Sequence, residues 1–370
     1  MSVQSFSTSN ALVPQQWSEG LEAEVLKKIS WTGFIGKRSD ALVQMKDTLT
    51  NEPGDTETIG LRMQLNSKPK SSSDALENNE QSLTLYNMSY TIDEVVDAVR
   101  FKNVIDRQRI NFDMRDEAKA ALADQLSNAW DTSLFAQLAG AVHLTGTFAG
   151  NNTAVDPQTV AVAGTPGHFI SADGTSQATR VQGDENLVAA DTFTLDLLDI
   201  AVENAKTFSP AIRPARIEGF GRPMYVCFIH PHQTSQLRAE GTLWDDLQRA
   251  AMSGGKVDDN PLLTGALGVY NDVLLVESTR VPQGVNSSTS VAVSGTRRAI
   301  FCGAQSAVMG WGRLGGSPRR FRWVEKQFDY DREYGVAAGF LGGIKTCNYN
   351  SKPFATIVIS SYANASQPAS

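Results

Sequence analysis

Between Asp55 and Gly140 two strand-like runs flank a long polar tongue and lead into one long amphipathic helix, a succession that few folds can house. Ile59, Leu61, Met63 and Leu65 alternate with polar residues at the two-residue period of a half-buried strand. A second alternating run starts at Leu83 and continues through Tyr90 and Ile92. Between them, Asn66 to Asp74 is too polar to pack and too long for a tight turn. A hairpin of that length has no core of its own and needs another chain to lie on.

The helix carries the strongest periodic signal. Met114, Ala118, Leu122, Leu126, Trp130, Leu134 and Leu138 recur every fourth residue, with Asp116, Lys119, Asp124 and Asn128 between them. The spacing predicts a helix over about 113–139, with Asp113 as N-cap and Gly140 as a left-handed stop. At 1.5 Å per residue it is roughly 39 Å long, a spine rather than an ordinary surface helix.

Elsewhere the elements are shorter. The N-terminal ten residues are polar and read as an arm ordered only by a partner. Leu21, Val25, Leu26 and Ile29 then make one face of a short helix. Residues 140–183, rich in Gly, Thr, Asn and Ala, read as loops and short strands. A helix is expected from Leu195 to Ala205, and a buried strand from Met224 to Ile229. A further helix through Leu237 and a strand over Val273 to Ser278 follow. Phe321, Trp323 and Val324, punctuated by Arg320, Arg322 and Glu325, open a strand-dense end that closes with Phe354 to Ser360. Strand-rich ends around a distinct middle predict an α+β fold in which early and late sequence share a sheet and the middle is an inserted lobe.

The chain is 370 residues long with 41% hydrophobic content, enough for a sizeable core and about two domains. A formal charge of −7 argues against a dedicated nucleic-acid binder, though not against passive contact. Cys227, Cys302 and Cys347 are odd in number and far apart, so they read as reduced, packed thiols rather than a disulfide framework or zinc ribbon. Nothing resembles a signal peptide or a membrane span.

Chemistry is scarce. His143 and His168 lack carboxylate or Cys neighbours at ligand spacing, and His230 with His232 is the best metal candidate. Pro231 between those two makes a strand-to-helix turn the stronger reading. Gly310 to Gly315 fits GxGxxG, but a helix-like Ala304 to Met309 precedes it and an alternating strand follows, the reverse of a dinucleotide-binding loop. No GxxxxGK[ST], GxSxG or HExxH occurs. No catalytic, cofactor-binding or metal residue is therefore assigned. Two arginine groups remain: Arg213, Arg216 and Arg222, and Arg313, Arg319, Arg320 and Arg322. Salt bridges between subunits or domains suit them best; phosphate contact and a solvated strand face remain open.

The long polar hairpin, spine helix, inserted lobe and late return to a sheet resemble the Hong Kong 97 type of tailed-phage major capsid protein. Further wording is similar to the N4-like podophage branch. It comprises Gly54-Asp55-Thr56, then Leu76-Glu77-Asn78-Asn79-Glu80, then Asp106-Arg107-Gln108-Arg109. Phe228-Ile229-His230-Pro231 with Gln233, Leu237 and Arg238 follows, then Asn260 to Tyr270. Gly303 to Ala307, Phe328-Asp329-Tyr330 and Gly342-Gly343-Ile344-Lys345 complete the series. Together these short matches cover most of the chain from Gly54 to Ala363.

The resemblance implies an icosahedral shell protein of the virion, made in the host cytoplasm. It implies an N-terminal arm over 1–53, an extended loop over 54–92, a peripheral domain over 93–204 and 299–370, and an axial domain over 205–298. Its partners would be its own copies in hexamers and pentamers, a portal, packaged dsDNA contacted non-specifically, and a decoration protein as a further candidate. No N-terminal scaffolding extension is evident, which suggests a separate scaffold protein. Lys68, Lys70, Asp74, Glu77 and Glu80 of the tongue, with Arg213, Arg216, Arg319, Arg320 and Arg322, are the expected intersubunit contacts. An encapsulin-type nanocompartment shell and an enzyme of unknown type are the alternatives.

Overall fold

The spine is present as helix α1, Met114–Ala139, and it ends at Gly140 in the left-handed conformation, φ +60°. It belongs to a computed structural model describing residues 31–50, 53–62, 85–102, 114–140, 167–174, 182–217, 222–239, 268–289, 291–312, 320–330, 332–349 and 352–364. Leu21, Glu24, Val25, Glu77, Glu80 and Arg180 are described as well. The expected N-cap Asp113, most of the tongue, the N-terminal ten residues and His143 lie outside these.

Eighteen strands are described, most of them in two sheets. The first sheet joins β1 (Ile35–Gly36), β2 (Val43–Lys46), β13 (Ala307–Trp311), β15 (Glu333–Thr346), β14 (Phe321–Phe328) and β5 (Asp93–Phe101). Its centre is β15, which pairs with β13 and then β14 along one edge and with β5 along the other. Early and late sequence thus share this sheet, as the two strand-rich ends predict. Ala304 to Met309 is not a helix, however. Residues 307–311 form β13, buried on both faces between β2 and β15, where ladder hydrogen bonds override the local helical spacing.

The second sheet runs β6 (Phe169–Ser171), β18 (Thr356–Tyr362), β12 (Thr296–Cys302), β7 (Tyr225–Ile229), β9 (Val273–Glu277), β8 (Gly268–Tyr270). Every residue of β7 is buried because the sheet is covered on both faces. Val226 and Phe228 join the core around α1, while Tyr225, Cys227 and Ile229 join the core around α2 (Leu195–Thr207), with Leu237 of α3 (Pro231–Ala239). The boundary drawn at 298/299 falls inside β12, and the one at 204/205 falls inside α2. The middle lobe is completed by β6 and β18, which come from outside the 205–298 segment.

Helix α1 links the two sheets. Its first half is amphipathic, but from Ser133 to Gly140 every residue is buried. Trp130 stacks on Trp311 of the first sheet at 4.7 Å, and Phe135 meets Phe228 of the second at 5.5 Å. Leu21 and Val25 add to the same core, as the short N-terminal face predicts. Three small two-stranded ladders complete the described strands: β3 (Thr56–Arg62) with β4 (Leu85–Thr91), β10 (Gly284–Val285) with β11 (Ala292–Val293), and β16 (Asn348–Tyr349) with β17 (Lys352–Pro353). Cys227, Cys302 and Cys347 are buried, and burial pushes the last two thiols up to about 12.

Candidate functional site

Among the described residues the β3–β4 ribbon pairs only with itself, from Thr56 opposite Thr91 to Arg62 opposite Leu85. A two-stranded ribbon is marginal in water unless something holds it. Here the body grips its base. Met88 and Tyr90 are buried in a small cluster with Leu49, Val308 and Cys347, on the face of the first sheet opposite α1. The Tyr90 hydroxyl donates to Glu57 directly across the ladder, and Thr48 Oγ1 donates to the same carboxylate at 2.8 Å. Burial, and then Glu57, raise the Tyr90 phenol, so it stays protonated as the donor. Lys345 Nζ donates to the Ser89 carbonyl at 2.8 Å.

Two glycines let the ribbon come this close. Gly310 and Gly343 face each other across β13 and β15. A Cβ on Gly310 would stand 2.1 Å from the Tyr90 ring, and one on Gly343 would stand 2.1 Å from the Thr91 carbonyl oxygen. Gly310 thus serves packing at a strand crossing, and the GxGxxG spelling has no part in it. Gly310→Ala is expected to lift the ribbon base and cost about 1–3 kcal/mol, the range for overpacking a filled site. Urea unfolding of the isolated subunit measures it, and an unchanged midpoint would contradict the contact.

Toward its described end the ribbon is less covered, although the Tyr86 ring still meets Tyr349 edge-on at 6.0 Å. Tyr86 is half-buried, while Leu85 is 64% exposed, and Glu77 and Glu80 are exposed. Lys68, Lys70 and Asp74 lie outside the described residues. The apolar side of the run from Leu83 is therefore its even-numbered face, Tyr86, Met88 and Tyr90.

A second constellation lies inside the molecule and escaped the sequence reading. Arg298 of β12 and Asp184 are both fully buried, with Nη2 and Nε of the arginine 2.6 and 2.7 Å from Asp184 Oδ2. Arg298 Nη1 also donates to the carbonyls of Ala139 and Gly140 at 3.1 and 3.0 Å, filling orphan acceptors at the end of α1. The carboxylate in turn accepts from Val285 N at 2.6 Å and from Ser360 Oγ. The spine helix is thus bolted to the second sheet by charge-assisted hydrogen bonds. The available signal was two adjacent arginines, Arg297-Arg298, at the start of the apolar run Ala299 to Cys302.

His230 and His232 sit at the strand-to-helix turn between β7 and α3, their rings 4.5 Å apart. His230 Nδ1 accepts from the His232 backbone N–H at 3.2 Å, and the His230 backbone N–H is held by Gln233 Oε1 at 3.0 Å. Among the described residues no group of three or more His, Cys, Asp or Glu is placed to hold a metal. Burial, with Arg297 and His232 nearby, lowers the His230 imidazole to about 4. The unfolded chain therefore binds this proton near pH 6.5 and the folded chain only near 4, so stability is complete above 6.5 and falls as pH drops through that window. His168, stacked on Phe208 and also lowered by burial, acts in the same direction. Between pH 7 and pH 4 the His230 contribution is expected to reach about 3 kcal/mol. Thermal melts across that range should shallow in His230→Gln; an identical slope would refute the assignment.

With the geometry in view, comparison decides the family. The sequence pattern described as phage capsid protein matches residues 5–365. The chain belongs to the phage capsid protein family. It is 28% identical over 326 residues to the major capsid protein of Pseudomonas phage KPP25, covering 84% of this chain and 83% of that one. The capsid of Ralstonia phage GP4 superposes over 100% of both chains with a TM-score of 0.74 and 26% identity. The capsid of cyanophage Pam1, at 20% identity, shares the fold over 91% of this chain and 93% of its own, TM-score 0.69. The mixed α+β architecture is that of phage capsid subunits of the Hong Kong 97 type.

In this capsid protein the arginines divide by environment. Arg222 pairs with Asp272 at 3.3 Å, and Arg320 reaches Asp47 at 3.3 Å while lying over the Trp311 ring. Those two are engaged within their own chain. Arg213 and Arg216 are exposed beside the Ala215–Met224 bridge, and Arg322 is exposed on the outer face of β14. Arg313 and Arg319 fall outside the described residues.

Proposed function

We propose that many copies of this chain, a structural protein of the phage head, assemble as hexamers and pentamers into the icosahedral shell around the dsDNA of a tailed phage. One observation carries the reading: a two-stranded ribbon whose base is locked to the body by Tyr90, Glu57 and the Gly310–Gly343 crossing, while its outer part exposes Leu85 to solvent. Held at its root and exposing Leu85 at its described end, it is suited to lie on another subunit. The extended loop over 54–92 and the arm over 1–53 then hold neighbouring copies. The peripheral role falls to the first sheet with α1, and the axial role to the second sheet with α2 and α3. Lys68, Lys70, Asp74, Glu77 and Glu80 are the tongue's contact residues, and Arg213, Arg216 and Arg322 are exposed cations suited to meet carboxylates of neighbouring copies.

We place the chain in the N4-like branch on its sequence motifs, and expect a separate scaffold protein and a portal as assembly partners. Electron microscopy of purified particles, with nuclease-protected DNA measured, tests the function. Closed shells holding DNA are expected. A monomer at high concentration would end the shell reading, and shells filled with a cargo enzyme would turn it to a nanocompartment.

A further inference from the structure

The largest exposed aromatic of the described chain sits on the hairpin between β14 and β15. Tyr330 is 100% exposed. Both it and Asp329 take positive φ, 50° and 49°, a conformation that Asn-Gly would adopt without cost and a bulky side chain adopts rarely. The tip is nonetheless firmly made. Arg332 N donates to the Asp329 carbonyl at 3.1 Å and its guanidinium pairs with the Asp329 carboxylate at 3.4 Å. Just below, Phe328 lies between Arg100 and Lys326, 4.2 and 5.0 Å from its ring centroid. A fully solvated aromatic beside the Asp329 carboxylate has the chemistry of an interface anchor.

A complementary surface exists on the same chain, out of its own reach. A cavity of about 530 Å³ beside edge strand β1 is lined by the apolar Phe34, Ile35 and Ile217 together with the cations Lys37, Arg38 and Arg216. Asp40 offsets Arg38 at 3.2 Å and Asp47 offsets Lys37 at 2.7 Å, which leaves Arg216 with no carboxylate among the described residues. Ile35 of β1 is in register with Thr346, through Val43 and Ala307, whereas the hairpin turn immediately precedes Glu333 at the other end of β15. Donor and acceptor are therefore separated by the length of that strand, about 40 Å at ~3.3 Å per residue. Two unlike patches at opposite ends of one sheet make a head-to-tail contact, the type that closes into rings.

We propose that the Asp329–Tyr330 tip of one copy docks in the β1 cavity of a second copy, with Tyr330 against Phe34, Ile35 and Ile217 and Asp329 facing Arg216. The proposal rests on the shell reading, because its partner is a second copy of this chain. The test places Tyr330→Cys and Ile35→Cys in one chain, assembles shells, oxidises them and runs a non-reducing gel. The three native cysteines are buried and silent. A ladder of covalent multimers is expected from the double variant and none from either single one. Arg216→Asp should weaken the shells to heat, and adding Asp329→Arg should restore part of the loss. Shells that form normally by electron microscopy, give no ladder, and are as heat-stable with Tyr330→Ala as without it would overturn the docking and leave the shell reading intact. A wild-type chain that never assembles would overturn both.

Discussion

Arg298→Met is expected to destabilise the subunit by about 3–5 kcal/mol, the cost of leaving a buried charge without its partner. Asp184 would keep its hydrogen bonds from Val285 and Ser360 but lose the cation 2.6 Å away. The carbonyls of Ala139 and Gly140 would lose their donor at the same time. Since a typical domain has only about 5–15 kcal/mol in hand, this one change should bring the subunit close to unfolding at physiological temperature. Urea denaturation of the isolated subunit measures the loss. Pairing it with Asp184→Leu should recover part of the stability, because an apolar pair need not be desolvated as ions are. If the two changes simply added, the residues would not be coupled and the bolt would be wrongly assigned.

Deleting residues 67–74 is the second large effect, and it should act on assembly instead of folding. The deletion spares Thr48, Glu57, Met88 and Tyr90, which fix the base of the ribbon, so the deleted subunit should stay soluble with an unchanged circular dichroism spectrum. Particle yield should fall at least about tenfold, since losing 1.4 kcal/mol per contact already suffices for that factor. Normal yields of heat-stable particles from the deletion would show that the tongue does not clasp a neighbour.

Much of the fold was legible because its signals are local. The four-residue recurrence from Met114 to Leu138 marks α1, and Gly140 ends it as a residue with no Cβ can. The apolar runs at Tyr225–Ile229 and Val273–Glu277, and the helix at Leu195–Thr207, stand where their patterns put them. Strands β5 and β12 were harder. Val95 and Val96 sit side by side in the first, breaking the two-residue period, and Arg297 with Arg298 interrupts the second. Ala304 to Met309 reads as helix by spacing, yet β13 is held by β2 and β15, segments far away in the chain.

The candidate site divides along the same line. That two alternating strands, β3 and β4, precede the spine helix follows from the order and kinds of residues alone. What Tyr90 rests on, and what neutralises Arg298, do not. Tyr90 is seated on Gly310, and Arg298 is matched with a residue 114 positions away. Periodicity records which face of an element is apolar, since that depends only on a residue's near neighbours. Contacts between distant segments depend on how whole elements are laid across one another, and here a glycine crossing and a buried charge pair set that arrangement.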